Sequence, residues 1–168
     1  EVDELTDRSA ELSALASDNR TAEEPVSIDL SDVAHEIALR ASRRSGAPVT
    51  VHTSPGTTVN ARPNQLERAL SNLVDNAIKF TNDGSAIEIH VGSFRVEVRD
   101  KGIGIADDDK PLVFDRFYRA TATRSMPGSG LGLSIVSQFA TDHNASAYVL
   151  DNAGGGAIVG LQFPIPSV

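Results

Sequence analysis

The sequence contains no cysteine and no tryptophan, one methionine, and only 5% aromatic residues. Without cysteine there is neither a disulfide framework nor a thiolate metal centre, which fits a reducing compartment. No window approaches the roughly 20 apolar residues that a membrane-spanning helix requires, and no signal peptide is recognisable. Cationic residues are also in deficit: 15 Lys+Arg stand against 23 Asp+Glu, for a net charge of −8. No basic stripe is available to neutralise a nucleic-acid backbone, so no nucleic-acid partner is expected. Phosphate binding by a few local groups stays open.

What is present is globular. A chain of 168 residues with 40% hydrophobic and 23% charged side chains fits one domain with a short appendage. It begins at Glu1 rather than methionine, and reads as a soluble piece of a longer protein.

Val2, Leu5, Leu12 and Ala16 recur near heptad spacing, with Ser9 at the intervening seam position, so residues 1–18 are expected to form an amphipathic helix. The polar run ending at Pro25 reads as a linker over 19–25. Val26, Ile28 and Leu30 alternate as a short strand. Ser31 then offers a cap for a helix whose apolar positions are Ala34, Ile37, Ala38 and Ala41, closed by Gly46 and Pro48. Strands are expected at Val49–Thr53 and Thr58–Ala61, and a helix from Pro63 through Lys79 or Phe80, stopped by Asn82-Asp83-Gly84.

Ile87, Ile89 and Val91 alternate with polar residues. Gly92-Ser93 is expected to turn the chain into a returning strand from Phe94 to Asp100. Residues 106–128 lack periodicity. A helix from Leu131 to about Thr141, a strand at Ser146–Leu150, a turn at Asn152–Gly156 and a strand at Ala157–Phe163 complete the order. Mixed helices and hairpins imply a two-layer α/β sandwich, with a mixed, mostly antiparallel sheet of about five strands packed on three helices.

Four stretches carry chemistry. Asp100-Lys101-Gly102-Ile103-Gly104-Ile105 ends a strand in a carboxylate followed by two spaced glycines, a pattern for backbone approaching a ligand closely. On the Pro63 helix, Leu66, Leu70, Leu73, Ala77 and Phe80 form a core stripe. Asn72, Asn76 and Lys79 form a second stripe about 120° round at ~100° per residue. Two carboxamides and an ammonium on one face can offer oxygen to a hard cation and positive charge to phosphate. Gly128-Ser129-Gly130-Leu131-Gly132-Leu133 opens a helix with bare N–H groups, where the macrodipole favours an anion. It is neither a Walker A loop nor a dinucleotide fingerprint, because the Lys-Ser/Thr pair and the preceding strand are both lacking. Between the glycine stretches, Phe114-Asp115-Arg116-Phe117-Tyr118-Arg119 pairs aromatics with arginines.

Taken in chain order, these stretches resemble the ATP-binding catalytic domain of bacterial sensor histidine kinases, within the superfamily that also holds DNA gyrase B and MutL. The first box is Asn72–Thr81, the second Asp100–Ile105, the third Phe114–Arg119 and the fourth Gly128–Leu133 followed by Ser134-Ile135-Val136. The resemblance spans about residues 26–164 and implies the Bergerat-type ATP-binding fold.

It further implies ATP and Mg²⁺ as cofactors. Asp100 would accept from the adenine amino group, with Gly102, Gly104 and Ile105 against the base. Asn76 would be the metal ligand, with Asn72 beside it and Lys79 on phosphate, while Phe80 stands between two roles, core side chain and adenine wall. Gly128, Gly130, Leu131, Gly132 and Leu133 would cradle phosphates, and Arg119 and Arg124, rather than Arg116, would reach the terminal ones. A lid would cover about residues 106–130, within a catalytic domain of residues 26–168.

Residues 1–18 resemble the end of a dimerisation helix. No catalytic residue is expected in this chain, since the phosphoacceptor histidine would lie on a separate domain. His35-Glu36 lacks the Arg-Thr-Pro that follows that site in the family and reads as an ordinary helix histidine. His143 precedes Asn144-Ala145, where relatives have glycines, and reads as part of a helix C-cap. His52 and His90 read as strand residues facing water. Implied partners are the chain's own dimerisation domain in a homodimer and a response regulator. The location implied is a cytoplasmic domain of a protein held in the cell membrane. Two rival functions share most of the boxes: a serine kinase of the anti-sigma type, and a nucleotide-sensing scaffold without kinase activity.

Overall fold

In the computed structural model, residues 23–81, 84–115 and 132–166 are described. The expected helix at 1–18 therefore lies outside the described residues, as do Asn82, Asp83, Arg116, Arg119, Arg124 and Gly128–Leu131.

The strands are β1 (Val26–Asp29), β2 (Val49–Thr53), β3 (Thr58–Ala61), β4 (Ile87–Gly92), β5 (Arg95–Arg99), β6 (Ser146–Asp151) and β7 (Ala157–Gln162). The helices are α1 (Leu30–Ser45), α2 (Pro63–Phe80) and α3 (Gly132–Asp142), with a single 3₁₀ turn at Lys110–Leu112. Five strands form the main sheet in the order β2-β4-β5-β7-β6. Only the β2–β4 pair is parallel. β1 and β3 pair separately, with Val26 opposite Ala61.

All three helices pack on one face of the sheet. That face carries the alternate apolar residues Ile87, Ile89 and Val91 of β4, Val96 and Val98 of β5, and Val159 and Leu161 of β7, each at most 3% exposed. Against them α2 turns Leu66, Ala69, Leu70, Leu73, Val74 and Ala77, a wider stripe than strict heptad spacing suggests. Burial of each leucine contributes about 2 kcal/mol. Phe80 is only half-buried, at the point where the stripe runs out.

Two boundaries differ from the sequence reading. Leu30 belongs to α1 rather than to the preceding strand, and the cap is Asp29, not Ser31. The Asp29 carboxylate accepts both the Ser31 N–H at 2.9 Å and the Ser31 hydroxyl at 2.7 Å, so the serine braces the cap instead of being it. The β4–β5 turn is Ser93-Phe94, both in the left-handed region at φ 53° and 59°, and not Gly92-Ser93. Gly92 is still paired, opposite Arg95, and a Cβ there would fall 1.8 Å from Ser54 Oγ. Hydrogen bonds from Ser93 N to Pro55 O and from Phe94 N to Gly56 O hold the two turn residues, and the half-buried Phe94 packs on the core. Tertiary packing thus overrides the local preference for glycine in such a turn.

The start of α2, the helix that carries the polar stripe, is fastened from outside. Its N-cap residue Arg62 makes no side-chain cap bond. Instead Glu23 Oε1 accepts from Asn64 N at 2.8 Å and Gln65 N at 3.2 Å, so Glu23 is docked onto the domain rather than being free linker. His143 contributes too: its Nδ1 donates to Phe139 O at 2.9 Å and its Nε2 accepts from Arg62 N at 3.1 Å. That pair of bonds needs the neutral ring, and burial holds its pKa below the usual value. After His143, Asn144 takes φ 54° and Ala145 N bonds to Ala140 O at 2.9 Å, giving the expected left-handed helix end with a Schellman-type bond. His35 lies on the exposed side of α1 with its Nδ1 on Ser31 O, an ordinary helix position.

Candidate functional site

Asp100 follows the last paired residue of β5 and is 3% exposed. Its Oδ1 accepts from Gly102 N at 2.9 Å and from Ala157 N at 3.1 Å. Its backbone is paired as well, since Asp100 N donates to Ala157 O and Asp100 O accepts from Asn152 Nδ2 at 2.8 Å. Burial pushes the carboxyl above its ordinary value of 3.8, and the two backbone N–H bonds pull it back only in part. No ion-pair partner faces it among the described residues. Both backbone donors lie on one oxygen, so a carboxylate held without a cation keeps its other oxygen for something else.

The glycines around it are close-approach positions. A Cβ on Gly102 would fall 2.0 Å from the Phe80 carbonyl oxygen, so this residue seats the loop on the end of α2. Gly102 therefore has a packing reason in addition to the one expected for the base. Gly104 takes φ 73°, and Ile105 turns back to pack on the core. From the opposite side comes the β6–β7 turn, where Gly154, Gly155 and Gly156 all have positive φ. A Cβ on Gly156 would fall 2.0 Å from Asp100 O. Asn152, Gly156 and Ala157 were not singled out from the sequence as site residues. The three consecutive glycines were the available signal, but a turn is their commoner meaning.

Because Gly102 rests on the Phe80 carbonyl, the Asp100 loop and the C-terminal end of α2 form one wall. On α2, Asn72, Asn76, Lys79 and Phe80 are all half-buried rather than water-facing. Asn72 Nδ2 is fully buried and has no hydrogen-bond partner. An orphaned amide costs about 1–3 kcal/mol. A ligand oxygen would satisfy it, or a cation would with the amide turned over. α3 packs along α2 and begins at Gly132, with Leu133 half-buried against the core. Lys110 ties the segment after Ile105 to the sheet: its Nζ lies 2.8 Å from Asp151 at the end of β6 and 2.5 Å from Asp107. Phe114 is half-buried on the core. The structure thus seats the Asp100 loop, through Gly102, on the end of the helix that carries Asn72, Asn76, Lys79 and Phe80, while Gly104 lies against Gly156 and Ile105 against the core.

A buried acid at the end of the central strand β5, joined through Gly102 to the end of the helix that carries Asn72, Asn76 and Lys79, is the arrangement expected of an ATP-binding domain of the two-layer type. The chain belongs to the family described as histidine kinase-, DNA gyrase B- and HSP90-like ATPases, which matches residues 61–167. Within that family it is a catalytic domain of the sensor histidine kinase type. It is 36% identical over 141 residues to a probable sensor histidine kinase of Mycobacterium tuberculosis, covering 83% of this chain and 37% of that protein. It is 38% identical over 124 residues to a sensor histidine kinase component of the same species, covering 73% of this chain and 74% of that protein. Among solved structures, the mycobacterial sensor histidine kinase MprB superposes with a TM-score of 0.70 at 30% identity, over 81% of this chain and 95% of that one. The ATP-binding domain of PrrB from Mycobacterium tuberculosis superposes at 0.66 with 25% identity, over 86% of this chain and all of that one. The five-stranded mixed sheet on three helices is the fold expected.

Proposed function

We propose that this domain binds ATP with Mg²⁺ and presents the γ-phosphoryl group to a histidine on a separate dimerisation domain, from which a response-regulator aspartate later takes it. The transfer breaks the bond between the γ-phosphorus and the β–γ bridging oxygen, forms a nitrogen–phosphorus bond, and releases ADP. Phosphoryl transfer of this kind asks the protein chiefly for position and charge. The observation that carries the reading is the buried, cation-free Asp100, with both backbone donors on Oδ1 and Oδ2 left for the adenine amino group.

The remaining roles are those the family resemblance implies. The Asn76 carboxamide would hold Mg²⁺, an ion that needs few protein ligands because it keeps several waters. Asn72 would give its orphaned amide to a phosphate oxygen, and Lys79 its charge. Gly128, Gly130, Leu131, Gly132 and Leu133 would offer N–H groups at the start of α3. Arg119 and Arg124 would meet the terminal phosphates from a lid over 106–130. Among the described residues no helix is long and apolar enough to cross a membrane. Membrane attachment, homodimerisation through residues 1–18 and docking of a response regulator would belong to the full-length protein.

The test is phosphorylation in trans. The chain, Mg²⁺ and labelled ATP are mixed with the dimerisation domain of the full-length protein, and the phosphate formed is challenged with acid. Acid-labile label on that domain's histidine is expected. Acid-stable label would identify a serine kinase, and nucleotide binding without label would leave a scaffold.

A further inference from the structure

We propose that His52, Glu88 and His90 form a binding site for a divalent transition-metal ion, Zn²⁺ foremost, on the sheet face turned away from the helices. None of the three belongs to the nucleotide-binding set. β2 and β4 are parallel neighbours in the register His52 opposite His90, and Glu88 precedes His90 by two residues. Strand alternation therefore puts all three side chains on one face, while Val49, Val51, Ile87, Ile89 and Val91 between them turn to the core.

One donor atom from each of the three lies within 4.8 Å of the others. Glu88 Oε1 is 2.7 Å from His90 Nε2 and 3.8 Å from His52 Nε2. Ligand atoms around a tetrahedral ion with bonds of ~2.0–2.1 Å stand roughly 3.3 Å apart, which those two distances bracket. Two imidazoles and one carboxylate are a donor set that suits zinc and leaves a fourth position open.

The chain has only four histidines, and two of them are stacked here with ring centroids 4.6 Å apart and planes 13° from parallel. Both rings keep solvent access, with side-chain exposures of 51% for His52 and 27% for His90, so an ion could enter without opening the fold. The bonds it would displace are local: Glu88 to His90, and Thr50 Oγ1 to His52 Nε2 at 3.2 Å. Two cations stand nearby, Arg95 and Arg99, the latter opposite Glu88. Glu97 offsets them, at 2.8 Å from Arg99 and 4.0 Å from Arg95. Beside the cluster runs a groove of about 230 Å³, bounded by Ser54, Ser93 and Arg95, where a water or small anion could complete the coordination. Since β2 is an edge strand of the main sheet, an ion here would clip that edge to β4.

The test is calorimetric titration of the nucleotide-free, chelator-treated chain with ZnCl₂. One saturable site per chain with micromolar affinity is expected. His52→Ala and His90→Ala should each weaken it about tenfold or more, and Glu88→Gln, which keeps both imidazoles, by roughly threefold to tenfold. His35→Ala should bind like the wild type, and far-UV circular dichroism should be the same for every variant. Zn²⁺ should also raise the melting temperature of the wild type but not of the His52→Ala, His90→Ala double variant. Absence of saturable binding below millimolar Zn²⁺, or unchanged affinity in the two histidine variants, would overturn the site.

Discussion

Glu97 and Asp100 lie three residues apart at the end of β5, and both are almost wholly removed from water, at 5% and 3% exposure. Their surroundings are opposite. Glu97 is on the outer face of the sheet, where Tyr148 OH donates to Oε1 at 2.7 Å, Arg99 Nε donates to Oε2 at 2.8 Å, and Arg95 stands close. Burial alone would raise its pKa, but the Tyr148 and Arg99 bonds and the arginine charges outweigh burial and the net shift is downward. Among the described residues Asp100 has only backbone N–H donors, and its pKa is raised. A buried acid surrounded by side-chain donors and cations is satisfied by the fold. One held through a single oxygen by backbone N–H groups leaves its other oxygen for a ligand, which is where function commonly departs from stability.

The glycine facing each acid gives the largest expected contrast. Gly156→Ala forces a Cβ to 2.0 Å from the Asp100 backbone at φ 94°, and should cost about 3 kcal/mol or more in urea unfolding. Little change in midpoint would show that the Asp100 loop yields freely. Glu97→Ala should cost about 2 kcal/mol, because the Tyr148 hydroxyl and the Arg99 guanidinium lose their acceptor. A neutral result would mean that the paired acid is no more structural than Asp100.

Asp100→Asn should weaken ATP binding about tenfold, ~1.4 kcal/mol, while leaving stability at neutral pH unchanged or higher, since Asn can still accept at Oδ1. The pH dependence has a definite sign. A raised folded pKa means that the native state holds the proton more tightly, so Asp100 lowers stability as pH rises from 3.8 through the folded value. Any stability advantage of the asparagine variant should therefore be present near neutral pH and vanish below that range, as followed by thermal melts across pH. Calorimetry showing unchanged ATP affinity would sink the adenine role. Gly160, opposite Glu97, probes the paired acid from the neighbouring strand. Gly160→Ala places a Cβ 2.6 Å from the Tyr148 ring and 2.9 Å from Glu97 Cβ, so it disturbs the Tyr148 bond to Glu97 and should cost about 1–3 kcal/mol in urea unfolding.

Much of this was legible from residue order. The stripes of α1 and α2, the strand alternation and the glycine-flanked acid are local patterns, and the helix and strand spans expected within the described residues match the structure within one or two residues. Asn144 in the left-handed conformation was also readable, because the helix end required it. What was not legible depends on residues far apart in the chain. Glu23 reaches 41 residues to cap α2, and Asn152 and Ala157 reach 52 and 57 residues to hold Asp100. Ser93 and Phe94 turn the β4–β5 hairpin because Pro55 and Gly56 bind them from outside it.

By itself, the sequence determined that an acid ends a strand, that two glycines follow it, and that a helix carries Asn72, Asn76 and Lys79 on one stripe. Those facts rest on periodicity, which a chain carries locally. Only the tertiary structure decided that Asp100 would be buried with no cation beside it among the described residues while Glu97, three residues earlier, would be paired. It also decided that His52, Glu88 and His90 would converge on one face. Desolvation and donor geometry are set by whatever packs around a group, and no local pattern contains that.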